Sequence, residues 1–215
     1  LVSAPYAAAN GRVLGVLGEK QRTVPDTYPL TLNALVAGCN QKTSRDPVIE
    51  ASEAEVLAAL DELRNHSLIV ESSGGRVPRF AHNLERVLQI PTQSGAILTA
   101  LMLRGPQTAG ELRINCDRLH RFADISAVEA FLAELSERSA GALVRELPRQ
   151  PGARENRWIH LLSGEPDLES LSASAPQPST GEVAALKARV GVLENEMAAL
   201  KMQLARLCAE LDVSL

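Results

Sequence analysis

The sequence is poor in aromatic residues, which make up 3 % of its 215 positions. Leucine, valine and alanine must therefore fill the core. Cysteine is also scarce, because only Cys39, Cys116 and Cys208 occur, far apart and never as a CxxC pair. This spacing argues against a disulfide framework and against a zinc knuckle, and it fits a reducing cytoplasm.

Long apolar runs and a strong positive charge are missing too. No stretch approaches the roughly 20 consecutive apolar residues of a membrane span, and the N-terminal segment LVSAPYAAANGR lacks the features of a signal peptide. The net charge is −4, with −1 in residues 1–90, +1 in residues 91–162 and −4 in residues 163–215. We expect a soluble cytoplasmic protein without membrane contact, whose bulk charge is not that of a strongly basic nucleic-acid binder.

Motifs for catalysis and cofactor binding are absent. The sequence contains no GxGxxG, no GxxxxGK[ST] and no HExxH, and its four histidines stand alone at His66, His82, His120 and His160. We therefore predict no cofactor, no metal site, no small-molecule ligand and no enzymatic activity.

Cys39 offers the one alternative in favour of catalysis, because Lys42 and Asp46 follow it closely. A reactive thiol needs a neighbouring base and partial exposure. Cys39 instead takes the fourth position of an apolar helical stripe that begins at Leu32, and Cys116 stands at the matching place of a second stripe. We predict that both thiols lie in the core, where free cysteines are often found.

Helical periodicity occurs twice in the same order. The first copy has helical patterns in NGRVLGVLGEK, in residues 32–39 and from Ser52 to Asn65, and then two short β-type segments, SLIVES and RVPRFAH. The second copy repeats this order with residues 97–102, TAGELRINCDRL and ISAVEAFLAEL, followed by ALVREL and RWIHLL. Three helices and a hairpin are typical of a winged helix. We predict a mostly α fold with small β-hairpin wings (α+β), built as two tandem winged-helix domains over 1–90 and 91–162.

The two copies differ in length at one place. Matching apolar positions are 77 residues apart at Leu35/Leu112 and Cys39/Cys116, but 72 apart at Val56/Val128, Leu60/Leu132 and Leu63/Leu135. The first copy therefore has five extra residues between its second and third helices, within QKTSRDPV. Two interpretations are open for this loop: a turn satisfied by its own side chains, or a contact surface through Lys42 and Arg45.

The C-terminal part has two different patterns. Residues 163–181 are rich in Ser, Pro, Glu and Asp, which predicts a flexible linker. Residues 182–215 predict a coiled-coil dimerisation helix, because apolar residues alternate at spacings of three and four. Its seam consists of Val183, Leu186, Val190, Leu193, Met197, Leu200, Leu204, Leu207 and Leu211.

Charges beside the seam favour a parallel homodimer. All three g-to-e′ pairs attract in that orientation, which makes six contacts in the dimer against four in the antiparallel one. Each exposed pair contributes only about 0.3–0.5 kcal/mol, so the preference is small. The alternative is an amphipathic helix that docks on its own chain.

Double-stranded DNA is the partner that the winged-helix order suggests. The third helices of both copies are acidic, however, and would meet an acidic backbone. Phosphate contacts are therefore expected from the wings and from the five-residue insertion. The candidates are Lys42, Arg45, Arg76, Arg79, Arg145, Arg149, Arg154 and Arg157. Alternatively, these side chains are ordinary solvated surface residues.

Three longer stretches of the sequence are EKQRTVPDTYPLTLNALVAGCNQKTSRDPV, LMLRGPQTAGELR and LPRQPGARENRWIHLLSGEP. Together with the leucine heptad, they resemble the YceH-type family of uncharacterised bacterial proteins. The resemblance implies tandem winged helices in a bacterial cytosolic protein and no established biochemical role. We predict a non-enzymatic, dimeric DNA-binding protein in transcriptional regulation, with a protein-interaction scaffold as the alternative.

Overall fold

The computed structural model describes residues 8–72, 75, 77–150, 152–164, 189–190, 197–198 and 201–203. Leu1–Asp167 form one compact unit, and Leu168–Leu215 form another. In the first unit the α-helices are α1 (Ala8–Thr23), α2 (Leu32–Cys39), α3 (Glu53–Asn65), α4 (Leu84–Leu88), α5 (Thr92–Arg104), α6 (Ala109–Asn115) and α7 (Ile125–Ser136). The strands are β1 (Leu30–Thr31), β2 (Ile69–Ser72), β3 (Arg79–His82), β4 (Val144–Glu146) and β5 (Trp158–His160).

The first copy runs in the order α1, β1, α2, α3, β2, β3. Its helices begin where side chains cap them: the Thr31 hydroxyl accepts from Ala34 N, and Ser52 and Glu55 form the predicted capping box of α3. The strands make an antiparallel sheet in the order β1-β3-β2, with Phe80 opposite both Leu30 and Glu71. β1 was not predicted, because two residues are too few to show an alternating pattern.

The second copy repeats this arrangement with α5, α6, α7, β4 and β5. Thr108 and Glu111 form the predicted capping box of α6, and β4 and β5 pair as an antiparallel hairpin. An isolated bridge between Gln107 and Trp158 takes the place that β1 has in the first copy. Leu30–Thr31 and Gln107–Thr108 are 77 positions apart, which is the offset of the apolar pairs that follow them.

The predicted matching positions are all core residues. Leu35, Leu112, Cys39, Cys116, Val56, Val128, Leu60, Leu132, Leu63 and Leu135 are each at most 1 % exposed. The α+β fold class with two hairpins is thus confirmed, and α4 is a helix that the sequence patterns did not indicate. The assignment of each copy to the winged-helix class stays a prediction.

Both copies contribute to one hydrophobic core, which is joined where α1 packs on α5. Two glycines of α1 let the helices approach closely. A Cβ atom at Gly15 would lie 3.0 Å from Leu103 Cγ, and one at Gly18 would lie 2.6 Å from Thr99 Oγ1. The predicted boundary after residue 90 falls between α4 and α5, within this single compact unit.

Residues 165–181 of the predicted linker (163–181) and most of the seam lie outside the described residues. Val190 and Met197 are described as helical and are 51 % and 52 % exposed. No helix in the described part of the chain has the length and apolar character that a bilayer crossing requires.

Gly18→Ala is expected to lower the free energy of unfolding by about 2 kcal/mol, because the new methyl group meets the buried Thr99 side chain. In the background of Thr99→Ala the same change is expected to be neutral or stabilising, since alanine favours a helix by up to about 1 kcal/mol over glycine. Chemical unfolding of the two single variants and the double variant measures this coupling. Equal effects of Gly18→Ala in both backgrounds would contradict close packing of α1 on α5.

Candidate nucleic-acid interface

The second hairpin presents the densest group of predicted contact residues. Its connecting loop, 147–157, has three arginines and one glutamate. Arg149 and Arg154 are exposed, and Arg157 is half-buried beside the point where Leu147 N donates to its carbonyl. Arg149 Nε donates to Asn156 Oδ1 at 3.5 Å. Within the described residues neither Arg149 nor Arg154 forms an ion pair, so both cations remain available to an anionic partner.

The other three predicted wing arginines are Arg76, Arg79 and Arg145. Arg145 is exposed on β4, opposite Ile159. Arg79 is exposed on β3, but its Nη1 donates to the carbonyls of Pro29 at 2.8 Å and Thr27 at 3.4 Å. Arg76 lies outside the described residues. Arg79 is therefore less available to a partner than Arg149 and Arg154 of the second hairpin.

Lys42 and Arg45 in the five-residue insertion have opposite surroundings. Lys42 is exposed, as predicted for a contact residue. The Arg45 side chain is 0 % exposed and forms a two-pronged ion pair with Glu19, at 3.0 Å to Oε1 and 2.6 Å to Oε2. Its Nε also donates to Gly38 O. The structure therefore corrects the expectation that Arg45 faces a partner. Arg45 is a buried cation with a structural role, and it is not among the candidate contact residues.

Glu19 is the residue that makes this burial of charge favourable. Burial of its carboxyl opposes ionisation, but the hydrogen bond and charge of Arg45 outweigh burial and lower the Glu19 pKa. The ionised pair therefore stabilises the fold above the ordinary carboxyl pKa and loses this contribution as the pH falls through the lowered one.

The loop around Arg45 ties three helices together. Asn40 closes it at the base, because its side chain donates to Ala51 O at 2.9 Å and accepts from Ala51 N at 2.7 Å. Asp46 N donates to Leu103 O at 2.9 Å, which connects the loop to α5 of the second copy. The Asp46–Pro47 peptide is cis. These contacts favour the interpretation of the loop as a structural turn, with Lys42 as its one outward-facing cation among the two proposed.

The exposed faces of α3 and α7 are acidic. Glu53, Glu55 and Asp61 lie at the surface of α3, where Arg64 is paired with Asp61 and Glu71. α7 exposes Glu129 and Glu134. A helix with this charge is repelled by phosphates, so neither third helix is suited to enter a major groove.

A second group of exposed arginines was missed in the sequence. Arg113, Arg118 and Arg121 lie on and after α6, beside Ile114, which is 72 % exposed. Their signal in RINCDRLHR is weak because Asp117 alternates with them, and Asp117 pairs with Arg121 at 3.0 Å. Arg113, Ile114 and Arg121 also line an open crevice of about 570 Å³ with Phe122.

The buried cysteines have the surroundings of core residues. Burial raises the pKa of Cys39 to about 11 and that of Cys116 to about 12, so both thiols are protonated at neutral pH. Cys116 Sγ contacts Ala96 O at 3.6 Å. Cys208 lies outside the described residues, and no group of three or more His, Cys, Asp or Glu side chains in the described part is placed to hold a metal ion.

Comparison with known proteins gives relatives over nearly the whole chain. Residues 6–153 match the model of the family described as "Protein of unknown function, DUF480". A UPF0502 protein of Dechloromonas aromatica is 65 % identical over 192 residues, which are 88 % of this chain and 90 % of the relative. UPF0502 proteins of Acidovorax sp. and Paraburkholderia phymatum are 57 % and 56 % identical, covering 98 % and 95 % of this chain and 96 % and 88 % of the relatives.

Arg45→Ala is expected to lower the free energy of unfolding by about 3 kcal/mol, because it leaves the largely buried Glu19 carboxylate with only the more exposed Lys20 as a partner. Removing both partners in Arg45→Ala with Glu19→Ala is expected to cost less than the sum of the single changes. Lys42→Ala, the matched loss of an exposed cation from the same loop, is expected to stay within about 0.5 kcal/mol of the parent. Urea unfolding of the parent, the single variants Arg45→Ala, Glu19→Ala and Lys42→Ala, and the double variant measures these values. Equal losses for Lys42→Ala and Arg45→Ala would refute the buried pair.

Proposed function

We propose that this chain, which belongs to the DUF480 family, is a non-enzymatic tandem winged-helix protein that binds duplex DNA as a dimer and acts in transcriptional regulation. The observation that carries the proposal is the pair of exposed arginines, Arg149 and Arg154, on the loop of the second hairpin. Phosphate neutralisation by such side chains supplies most non-specific affinity for DNA. Fold analogy alone suggests regulation, since a fold does not determine a function.

The mode of binding follows from where the charges lie. The acidic faces of α3 and α7 leave the wings as the surfaces that approach the backbone, with Lys42 as a further contact. Wings of this kind hold a protein on the phosphates and read no base sequence by themselves. Sequence preference would then depend on DNA shape, or on a second copy that fixes the spacing of two wings.

Dimer formation is the second part of the proposal. The heptad over residues 182–215 supplies an apolar seam, and burial of each full leucine or valine side chain contributes roughly 1.5–3 kcal/mol. Val190 and Met197, two a positions of this seam, have half of their surface exposed in the single chain. A second copy of the helix would cover them, in the parallel orientation that the flanking charges favour.

A protein-interaction scaffold is the second candidate. It is favoured by the acidic surfaces of α3 and α7, which suit a basic protein partner better than a nucleic acid. The DNA measurement below separates the two candidates.

Binding to duplex DNA, measured by fluorescence anisotropy across a salt series, is expected to weaken steeply as salt rises. Arg149→Ala with Arg154→Ala is expected to reduce the slope of log K against log salt by about 2, one for each lost phosphate contact. The matched control, Arg22→Ala with Arg86→Ala, removes the same charge from exposed positions on α1 and α4 and is expected to change the slope less. Undetectable binding at low salt would favour the scaffold.

Met197→Lys combined with Val190→Lys is expected to convert the dimer to a monomer, because it places charges in the apolar seam. Met202→Lys is the control, since Met202 is 66 % exposed and occupies an f position away from the seam. Light scattering after size exclusion gives the mass of each chain, and the parent and Met202→Lys are expected to have twice the mass of the seam variant. A parent chain of monomeric mass would refute the dimer. An oligomeric state that is unchanged after deletion of residues 182–215 would refute dimerisation through this seam.

A further inference from the structure

A cavity of about 320 Å³ lies in the first unit, where α1, the loop after α2, α5 and β5 meet. Its wall is largely apolar and includes Pro47, Ile49, Leu101 and Met102. Four polar side chains also line it, those of Arg12, Asp46, His160 and Ser163. A volume of this size and a mostly apolar wall with few polar groups are typical of small-ligand sites.

Arg12 is a buried cation that lacks a counterion. The residue is 4 % exposed; its Nη2 donates to Pro47 O, while its Nη1 is buried and has no hydrogen-bond partner. Among the residues that the structure describes, no carboxylate forms an ion pair with it, although Asp46 lines the same cavity. Burial, and then the charge of Arg45, lower the Arg12 pKa, and the charge of Asp46 opposes them only in part. A buried guanidinium in this state is stabilised by an anion that enters the cavity.

His160 supplies the second unpaired polar atom. It is the last residue of β5, and its Nδ1 is buried without a partner although the side chain as a whole is partly exposed. Burial lowers the His160 pKa to about 4, so the ring is neutral at pH 7 and offers one hydrogen bond rather than a second charge.

We propose that this cavity binds a small organic carboxylate, with its carboxylate on Arg12 Nη1 and His160 Nδ1 and its apolar body against Ile49, Leu101 and Met102. One guanidinium nitrogen and one neutral imidazole match a single negative charge with two oxygens, whereas a phosphate dianion would leave charge uncompensated. The apolar wall gives the body of the molecule a surface to bury. This inference does not depend on DNA binding, and it replaces the expectation that the chain has no small-molecule ligand.

The site would connect parts of the chain that are distant in sequence. Arg12 belongs to α1 of the first copy, Leu101 and Met102 to α5 of the second, and His160 to the second hairpin. Its rim at Asp46 and Pro47 belongs to the loop that Arg45 anchors. A ligand that binds here contacts both copies at their junction.

The test is isothermal titration of the full chain at pH 7 with isovalerate, hexanoate and benzoate, without DNA. We expect at least one of them to bind with a Kd below about 1 mM. Its neutral amide and inorganic phosphate are expected to bind at least about tenfold more weakly, because they lack either the charge or the apolar body. Equal binding of carboxylate, amide and phosphate, or binding of none of the carboxylates, would overturn the proposal.

Three variants assign the binding to the cavity. Arg12→Gln is expected to weaken carboxylate binding about tenfold or more. Ile49→Trp is expected to weaken it similarly, because the larger side chain fills the cavity from its partly exposed rim while the Arg12 charge remains. Arg121→Gln, which removes an exposed arginine elsewhere, is expected to leave the affinity unchanged. Circular dichroism checks that each chain is folded. Undiminished binding by both folded Arg12→Gln and Ile49→Trp would overturn the proposal, and if Arg12→Gln does not fold, Ile49→Trp alone decides it.

Discussion

The packing of α1 against α5 is the contact on which the rest of the structure depends. The glycines at 15 and 18 remove side chains where Leu103 and Thr99 press against α1, so the two helices approach closely enough to merge the cores of the two copies. Interiors are packed densely, and a close contact of this kind has little freedom to shift. The same pair of helices then forms two walls of the cavity that holds Arg12. The two similar copies therefore form one compact unit, with a cavity where they meet.

The five extra residues of the first copy strengthen this junction. Their loop crosses from α2 to α5, where Asp46 N reaches the carbonyl of Leu103 near the end of that helix. Arg45 fixes the loop to α1 through its ion pair with Glu19, and the hydrogen bond of Asn40 with Ala51 joins the two ends of the loop. Arg12 and Arg45 show two outcomes of burying a guanidinium: Arg45 has a carboxylate partner, and Arg12 has a backbone carbonyl and an unpaired nitrogen. Since a buried charge is unfavourable until it is compensated, the difference between these two residues is the strongest chemical indication of a ligand in the described structure.

The distribution of surface charge does not follow the division of the fold into two copies. Acidic side chains cover the outer faces of α3 and α7, while the loop of the second hairpin is basic. A protein with this distribution has little long-range attraction to DNA as a whole, because its net charge is negative. Any contact with phosphates therefore depends on nearby charges, and the loop of the second hairpin is the surface where acidic side chains oppose it least. The acidic helices, left outside that contact, are free to meet a different kind of partner.

Short-range features of the sequence determined the helices other than α4, their capping boxes, the two hairpins and the ten matching core positions, because periodicity and capping depend on neighbours a few residues away. The burial of Cys39 and Cys116 followed from the same patterns. Only the tertiary structure decided that Arg45 pairs with Glu19, that β1 and Gln107 join the hairpins, and that Arg12 and His160 share a cavity. These relations join residues far apart in the chain, and the cavity shared by Arg12 and His160 forms where α1 and α5 pack together. No spacing along the sequence encodes the distance between two packed helices. From the sequence alone, an exposed cation such as Lys42 therefore cannot be told apart from a buried one such as Arg45.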